Sequence, residues 1–194
     1  DRGLNGLRMY PVPADVRRLM YKVKHAQGVD ITRIFCGLNE VRNIIPSIHY
    51  ALEAGMIPQA TLCITFSPVH TVEYYTAIAE RLIEAGAPEI CLKDMAGVGR
   101  PEMLGRLTKA IKERHPEIII QYHGHSGPGL SMASILEVCE NGADIIDVAM
   151  EPISWGKVHP DVISVQAMLK DAGFQVPEIN MKAYMKAILS KCNC

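Results

Sequence analysis

The chain has 194 residues, and its 20 basic and 21 acidic side chains leave a net charge of −1. That balance gives no electrostatic case for nucleic acid or an anionic membrane surface, and no apolar run is long enough to cross a bilayer. The length suits one domain with a substantial core, and no linker or low-complexity stretch interrupts residues 1–194.

In chain order, apolar periodicity predicts a helix over 13–27, a strand at 31–35, a helix over 39–54 and a strand at 61–66. A helix over 71–85 follows, opened by Thr71 as N-cap with Glu73 in its first turn. Next come a strand at 90–93 and a helix over 101–115 in which Pro101 takes an early position, where its missing N–H costs nothing. The pattern continues with a strand at 118–122, a helix over 130–141, a strand at 145–149, and helices over 160–172 and 180–190. Gly28, Gly55, Gly86, Gly142 and Gly173 each follow a helical stretch, at intervals of 27, 31, 56 and 31 residues. Glycine just past a helix is the left-handed stop signal, Pro116 marks the stop hidden in the long interval, and a period of about thirty residues is the βα unit. Five strands alternating with helices predict a parallel α/β sheet with helices outside it. No Gly-rich phosphate loop follows any strand, which makes a nucleotide-binding open sheet the weaker choice against a (β/α) barrel.

The chemistry concentrates between Ile90 and Gly129. Ile90-Cys91-Leu92-Lys93-Asp94-Met95-Ala96-Gly97 and Ile118-Ile119-Ile120-Gln121-Tyr122-His123-Gly124-His125 are short apolar runs that end in polar residues. In a barrel, residues just past such strands face the active site. His123 and His125 are two apart, so in extended chain both rings point to one side. Lys93, one strand earlier, faces the same mouth, and the three suggest a divalent metal site. A protonated lysine is a poor ligand, but a desolvated amine can take up CO2 and offer carbamate oxygen. Alone, an H-x-H pair also reads as buried hydrogen-bonding histidines, and a lysine after a strand as a solvated side chain.

The chain starts at Asp1 without methionine or a signal peptide, and a processed or trimmed piece is expected. Of six cysteines, Cys36, Cys63 and Cys91 fall in or at the end of strand-like runs, as small hydrophobes do. No C-x-x-C occurs, and the usage points to a reducing, cytoplasmic setting. Cys192-Asn193-Cys194 reads as a ragged terminus before it reads as a soft-metal or redox site.

The segments Phe66-Ser67-Pro68-Val69-His70-Thr71-Val72-Glu73-Tyr74-Tyr75, Leu92-Lys93-Asp94-Met95-Ala96-Gly97 and His123-x-His125 resemble the carboxyltransferase domain of biotin-dependent enzymes. Arg33-Ile34-Phe35, Leu38-Asn39-Glu40-Val41-Arg42-Asn43 and Asp144-Ile145-Ile146-Asp147-Val148-Ala149 extend the resemblance over residues 2–169. It implies a (β/α)8 TIM barrel of the metal-dependent lyase type, here partial, with about five complete units and the first strands missing. It also implies a divalent metal (Zn, Mn or Co) held by carbamylated Lys93, His123 and His125, with an aspartate on the absent first strand, and Arg2 as the binder of the substrate carboxylate. Three departures stand out: Cys36 replaces an aspartate, Ser126-Gly127-Pro128 replaces a small-Thr-Thr run, and Lys157 stands where a proton-shuttling threonine is expected.

The function so implied is carboxyl transfer to or from a small 2-oxo acid, pyruvate or oxaloacetate, through a metal-stabilised enolate. Biotin on a carrier domain or another subunit would be the partner, and Lys157 or His159 the proton carrier in place of threonine. A biotin-independent metal-dependent aldolase or lyase acting on an oxo acid is the enzyme alternative. An inactive structural fragment of the barrel is the non-enzyme one. A homo-oligomer is expected, because a barrel lacking strands leaves two sheet edges that invite pairing, and the chain alone is expected to be inactive.

Overall fold

The structure, a computed structural model, describes residues 1–191; Cys192 and Cys194 lie outside the described residues. A 3-10 turn, Gly3–Asn5, opens the chain. There follow α1 (Ala14–Ala26), β1 (Ile31–Ile34), α2 (Val41–Glu53), β2 (Ile57–Cys63), α3 (Val72–Glu84), β3 (Glu89–Asp94) and α4 (Pro101–Arg114). The rest is β4 (Ile119–Gly124), α5 (Ser131–Glu140), β5 (Ile145–Ile146), α6 (Val162–Asp171) and α7 (Met181–Lys191). All five strands pair in parallel and in sequence order, β1-β2-β3-β4-β5.

The helix stops behave as the glycine spacing predicts: Gly28, Gly55, Gly86, Gly142 and Gly173 all have φ between +83° and +102°. Thr71 caps α3, its Oγ1 accepting from the Tyr74 N–H at 3.2 Å. Before Pro116, His115 leaves the helical region at φ −135°, ψ 72°, as the residue preceding proline is forced to do.

Two strands differ from the sequence expectation. The strand expected at 61–66 is β2, which starts four residues earlier, at Ile57, and ends at Cys63. Pro58 lies inside that extension, where its missing N–H does no harm. The Ile57 N–H already bonds back to Asp30 O at 2.8 Å on the β1 side, and pairing with β3 begins only at Gln59. The strand expected at 145–149 keeps only Ile145–Ile146 as ladder. Beyond it the chain folds back on itself, Ala149 N–H bonding to Pro160 O at 3.0 Å and Val162 N–H to Ala149 O at 2.9 Å.

Alternation along the strands sorts the side chains into two faces. Ile34, Ala60, Leu62, Ile90, Leu92, Ile120 and Tyr122 are buried in a core shared with Ile44, Ile48, Leu82, Leu104 and Leu107 of the helices. The residues between them carry a polar chain across the other face. Arg33 Nε donates to Gln59 Oε1 at 2.5 Å, and Gln59 Nε2 donates to Glu89 Oε2 at 2.8 Å and Gln121 Oε1 at 2.7 Å. Gln121 in turn donates to Asp147. A buried amide or charge without a partner is costly, so these groups satisfy one another and fix how the strand ends above them are aimed.

Candidate functional site

At the C-terminal ends of the strands three imidazoles meet. His123 and His125 project to one side of β4, ring centroids 5.2 Å apart, with Nε2 facing Nε2 at 3.2 Å. His159 comes from the loop after β5, its centroid 4.3 Å from that of His123 and 5.0 Å from that of His125. One nitrogen from each ring can be chosen so that all lie within 4.8 Å of one another. All three side chains are half-buried.

The loops explain the convergence. Gly97 has φ +67°, and a Cβ there would lie 2.6 Å from the His125 carbonyl oxygen; one on Gly127 would lie 2.8 Å from Ala96 O. Only glycine lets the loops after β3 and β4 touch backbone to backbone. Asp94, buried at the end of β3, holds its loop by accepting from the N–H groups of Val98 at 3.0 Å and Gly99 at 2.8 Å. The loop over 150–160 is pinned to the β4 loop by Ser126 N–H to Val158 O at 2.8 Å and Gly127 N–H to Gly156 O at 2.7 Å. That pairing sets His159 against the β4 histidines.

The His123 ring is also held from behind. His123 Nδ1 donates to Asp147 Oδ2 at 2.6 Å, and Arg33 NH1 donates to the same oxygen at 2.7 Å. Arg33 and His123, 3.0 Å apart, are thus two donors sharing one carboxylate. Burial works to raise the Asp147 carboxyl pKa, but the hydrogen bonds and charges of His123 and Arg33 outweigh it and hold the group far below the usual carboxylate range. Burial lowers the pKa of His123, the Asp147 bond opposing it in part. Burial also lowers that of His125, helped by His123, His159 and Lys93. Neutral imidazole is the ligating form, so the donor set fits a divalent cation.

Lys93 pairs in register with His123 and is half-buried. Its Nζ lies 4.2 Å over the Phe35 ring, and no carboxylate stands within ion-pair distance of it among the described residues. Lys157 lies two residues before His159 in the loop pinned to the β4 loop, and its side chain is exposed. Arg2 lies beside the end of β1, where Phe35 N–H bonds to Asp1 O at 3.0 Å. It lines a cleft of about 140 Å³ with Phe35, Cys36 and Asn43, and its guanidinium contacts Met9 Sδ. Lys93 and Arg2 therefore flank the same aromatic residue. The site's unforeseen members are Asp147 and Arg33, and His159, expected only as an alternative proton carrier, lies inside the histidine cluster. The signal for the first two was the period of two, which sets Arg33, Gln121, His123 and Asp147 on one sheet face.

Residues 38–186 match the family described as HMGL-like. A pyruvate carboxylase subunit from Methanocaldococcus jannaschii is 38% identical over 185 residues, covering 92% of this chain and 32% of that protein. The methylmalonyl-CoA carboxyltransferase 5S subunit of Propionibacterium freudenreichii subsp. shermanii is 37% identical over 148 residues, covering 76% of this chain and 29% of that protein. Among solved structures, the carboxyl transferase domain from Rhizobium etli pyruvate carboxylase with pyruvate superposes with a TM-score of 0.83 at 32% identity. It covers 87% of this chain and 29% of that one. The fold is therefore part of that TIM-barrel architecture, and the chain spans about a third of the length of the curated relatives it matches.

Proposed function

The chain belongs to the HMGL-like family, and from that premise we propose that it carries the carboxyltransferase core of a biotin-dependent enzyme. The reaction moves a carboxyl group to or from a small 2-oxo acid, pyruvate or oxaloacetate, with carboxybiotin on another domain or subunit as the partner. The observation that supports this reading is the meeting of His123, His125 and His159 at the strand ends next to Lys93, on a chain similar to a pyruvate carboxylase subunit and to a methylmalonyl-CoA carboxyltransferase subunit.

His123 and His125 would hold a divalent cation through neutral nitrogens, and Lys93 would join them as a carbamate if CO2 adds to its amine with loss of a proton. A bound cation supplies Lewis acidity toward the carbonyl of the oxo acid. Arg2 offers a planar two-pronged donor for the substrate carboxylate. Asp147 and Arg33 keep the His123 ring turned toward the mouth. When the carboxyl group leaves oxaloacetate as CO2, the bonding electron pair stays on C3 and that carbon takes a proton. In the opposite direction C3 gives up a proton and bonds to CO2. Lys157, exposed at the rim beside His125, carries that proton. The free thiols of Cys36, Cys63, Cys91 and Cys139 suit a reducing cytoplasm. Among the described residues no helix is long and apolar enough to cross a membrane.

The test is pyruvate-dependent decarboxylation of free carboxybiotin, and its reverse, by the protein expressed with its natural flanking sequence and loaded with Zn, Mn or Co. Transfer that requires both pyruvate and metal supports the reading. Oxaloacetate breakdown indifferent to biotin indicates the biotin-independent lyase instead, a second reading favoured by Lys157 standing where threonine is expected.

A further inference from the structure

We propose that Tyr184 of α7 is a positioning residue. Its hydroxyl, acting through the buried carboxylate of Asp161, latches the neck of the loop over 150–160 and so holds Lys157 at the mouth of the site. The latch follows from the side chains themselves; its effect on carboxyl transfer rests on the preceding reading.

The loop leaves the sheet at Ala149 and returns at Pro160, where Ala149 N–H bonds to Pro160 O at 3.0 Å and Val162 N–H to Ala149 O at 2.9 Å. One side chain extends that pairing. Asp161 is the N-cap of α6, its Oδ2 accepting from the Ile163 N–H at 2.9 Å. Capping a helix occupies one acceptor oxygen. The other, Oδ1, accepts from the Glu151 N–H at 3.2 Å and from the Tyr184 hydroxyl at 2.6 Å. The Glu151 N–H also lies 3.4 Å from the Tyr184 oxygen. The start of the loop, its end and a helix 23 residues further on thus meet at one point.

Burial makes the hydroxyl matter. Asp161 is 4% exposed, and a buried carboxylate is costly unless donors surround it. The Glu151 N–H is long and divided between two acceptors, so the short bond from Tyr184 is the strong one on Oδ1. The helix that brings the tyrosine meets its own needs locally, Ala183 N–H bonding to Asn180 Oδ1 at 3.0 Å, and leaves Met181, Met185 and Leu189 exposed.

The loop has a second anchor at its tip. The Ser126 and Gly127 N–H groups hold Val158 O and Gly156 O, and His159 Nδ1 donates to Gly124 O at 2.8 Å. Lys157 sits between these tip contacts, so its place depends on both anchors. Freeing the neck lets the tip shift, and a displacement of about 1 Å in a reacting group can cost about 100-fold in rate.

The experiment uses the protein with its natural flanking sequence and reads amide hydrogen exchange peptide by peptide, alongside steady-state kinetics. Tyr184→Phe removes one oxygen and keeps the ring. Exchange across 150–160 should accelerate about tenfold or more, the scale of losing a hydrogen bond to a charged group, while β4 and α7 exchange as in wild type. In the same variant kcat for pyruvate-dependent transfer should fall about 10- to 100-fold with KM within about twofold, because the loss is one of placement and not of substrate binding. Asp161→Asn offers one acceptor oxygen where two are used, so cap and latch compete and the same changes are expected. The double variant should be no worse than the more affected single one, since both act through one bond. The proposal is overturned if folded Tyr184→Phe leaves loop exchange unchanged, or if the two substitutions add in full. It is overturned equally if α7 alone exchanges faster, the tyrosine then serving only to dock its own helix, or if the loop loosens with kcat intact. A wild-type protein without carboxyl transfer sinks the functional reading, and the exchange comparison still decides the latch.

Discussion

Asp147 Oδ2 accepts two charge-assisted bonds, from His123 Nδ1 at 2.6 Å and Arg33 NH1 at 2.7 Å, and so ties the outer strands β1 and β5 to a ring on β4. One carboxylate thereby sets both the tautomer and the direction of an imidazole at the mouth. Asp147→Asn, with an amide that can offer an N–H in place of an acceptor, should let the ring turn. Metal affinity is then expected to fall about 10- to 100-fold, the usual cost of losing an outer-shell partner. Equilibrium dialysis with Zn2+ checks this, and unchanged affinity would mean that Asp147 does not orient the ring.

The same carboxylate gives the metal-free fold an acid limb. Its folded pKa lies far below the ordinary value of 3.8. A depressed carboxyl contributes stability that is present above the unfolded pKa and lost as pH falls through the folded one, because the unfolded chain takes up the proton first. Wild-type stability should drop steeply below about pH 4, and Asp147→Asn should flatten that drop while lowering stability at neutral pH. Urea midpoints measured from acid to neutral pH decide it; parallel curves for the two proteins would rule Asp147 out as the group responsible.

Gly97 tests the loop contact. A methyl group there would meet His125 O at 2.6 Å, at a backbone φ of +67° that L residues avoid. Gly97→Ala is expected to cost about 1–3 kcal/mol of stability, a strained-backbone and overpacking penalty. It should also displace the β4 loop enough to weaken metal binding. Thermal melts and Co2+ spectra read the two effects separately, and a variant equal to wild type in both would show that the loops have room to part.

Most of the architecture is legible from local chemistry. Glycine stops, the Thr71 cap and Pro101 act within a turn of themselves, so the sequence announces where α3 and α4 begin and where the helices end. The lateral pairing of His123 with His125 needs only the period of a strand. The early start of β2 is not legible in this way, because whether Pro58 is tolerated depends on which side of the strand its missing donor faces, a property of the neighbour. His159 and Asp147 lie 36 and 24 residues from His123, counted along the chain. No spacing rule links them. What brings His159 home is backbone pairing between two loops, Ser126 N–H to Val158 O at 2.8 Å and Gly127 N–H to Gly156 O at 2.7 Å, made by groups every residue has. For Asp147 the hint was its place just past the edge strand β5, on the polar sheet face that Gln121 of β4 also lines.

Lys157 separates a proton carrier from a rim charge. It sits two residues before His159 in the loop held by the Ser126 and Gly127 N–H groups, so its backbone is fixed beside the site while its side chain is exposed. A proton carrier acts on the step in which C3 of the oxo acid gains or loses its proton. A rim cation only attracts the anionic substrate, and its effect is uniform binding that appears in KM. Lys157→Met removes both the proton and the charge, so the two roles predict different kinetics. If Lys157 carries the proton, kcat for pyruvate-dependent transfer should fall at least about 100-fold, the scale of general acid–base catalysis, with KM nearly unchanged. Lys157→Thr, which restores a hydroxyl at the position, should recover much of that loss. Lys157→Arg keeps the charge but cannot give up a proton near neutral pH, and should behave like the methionine variant. Full kcat in Lys157→Arg, or a change confined to KM in Lys157→Met, would assign the lysine to substrate attraction and leave proton transfer to another group.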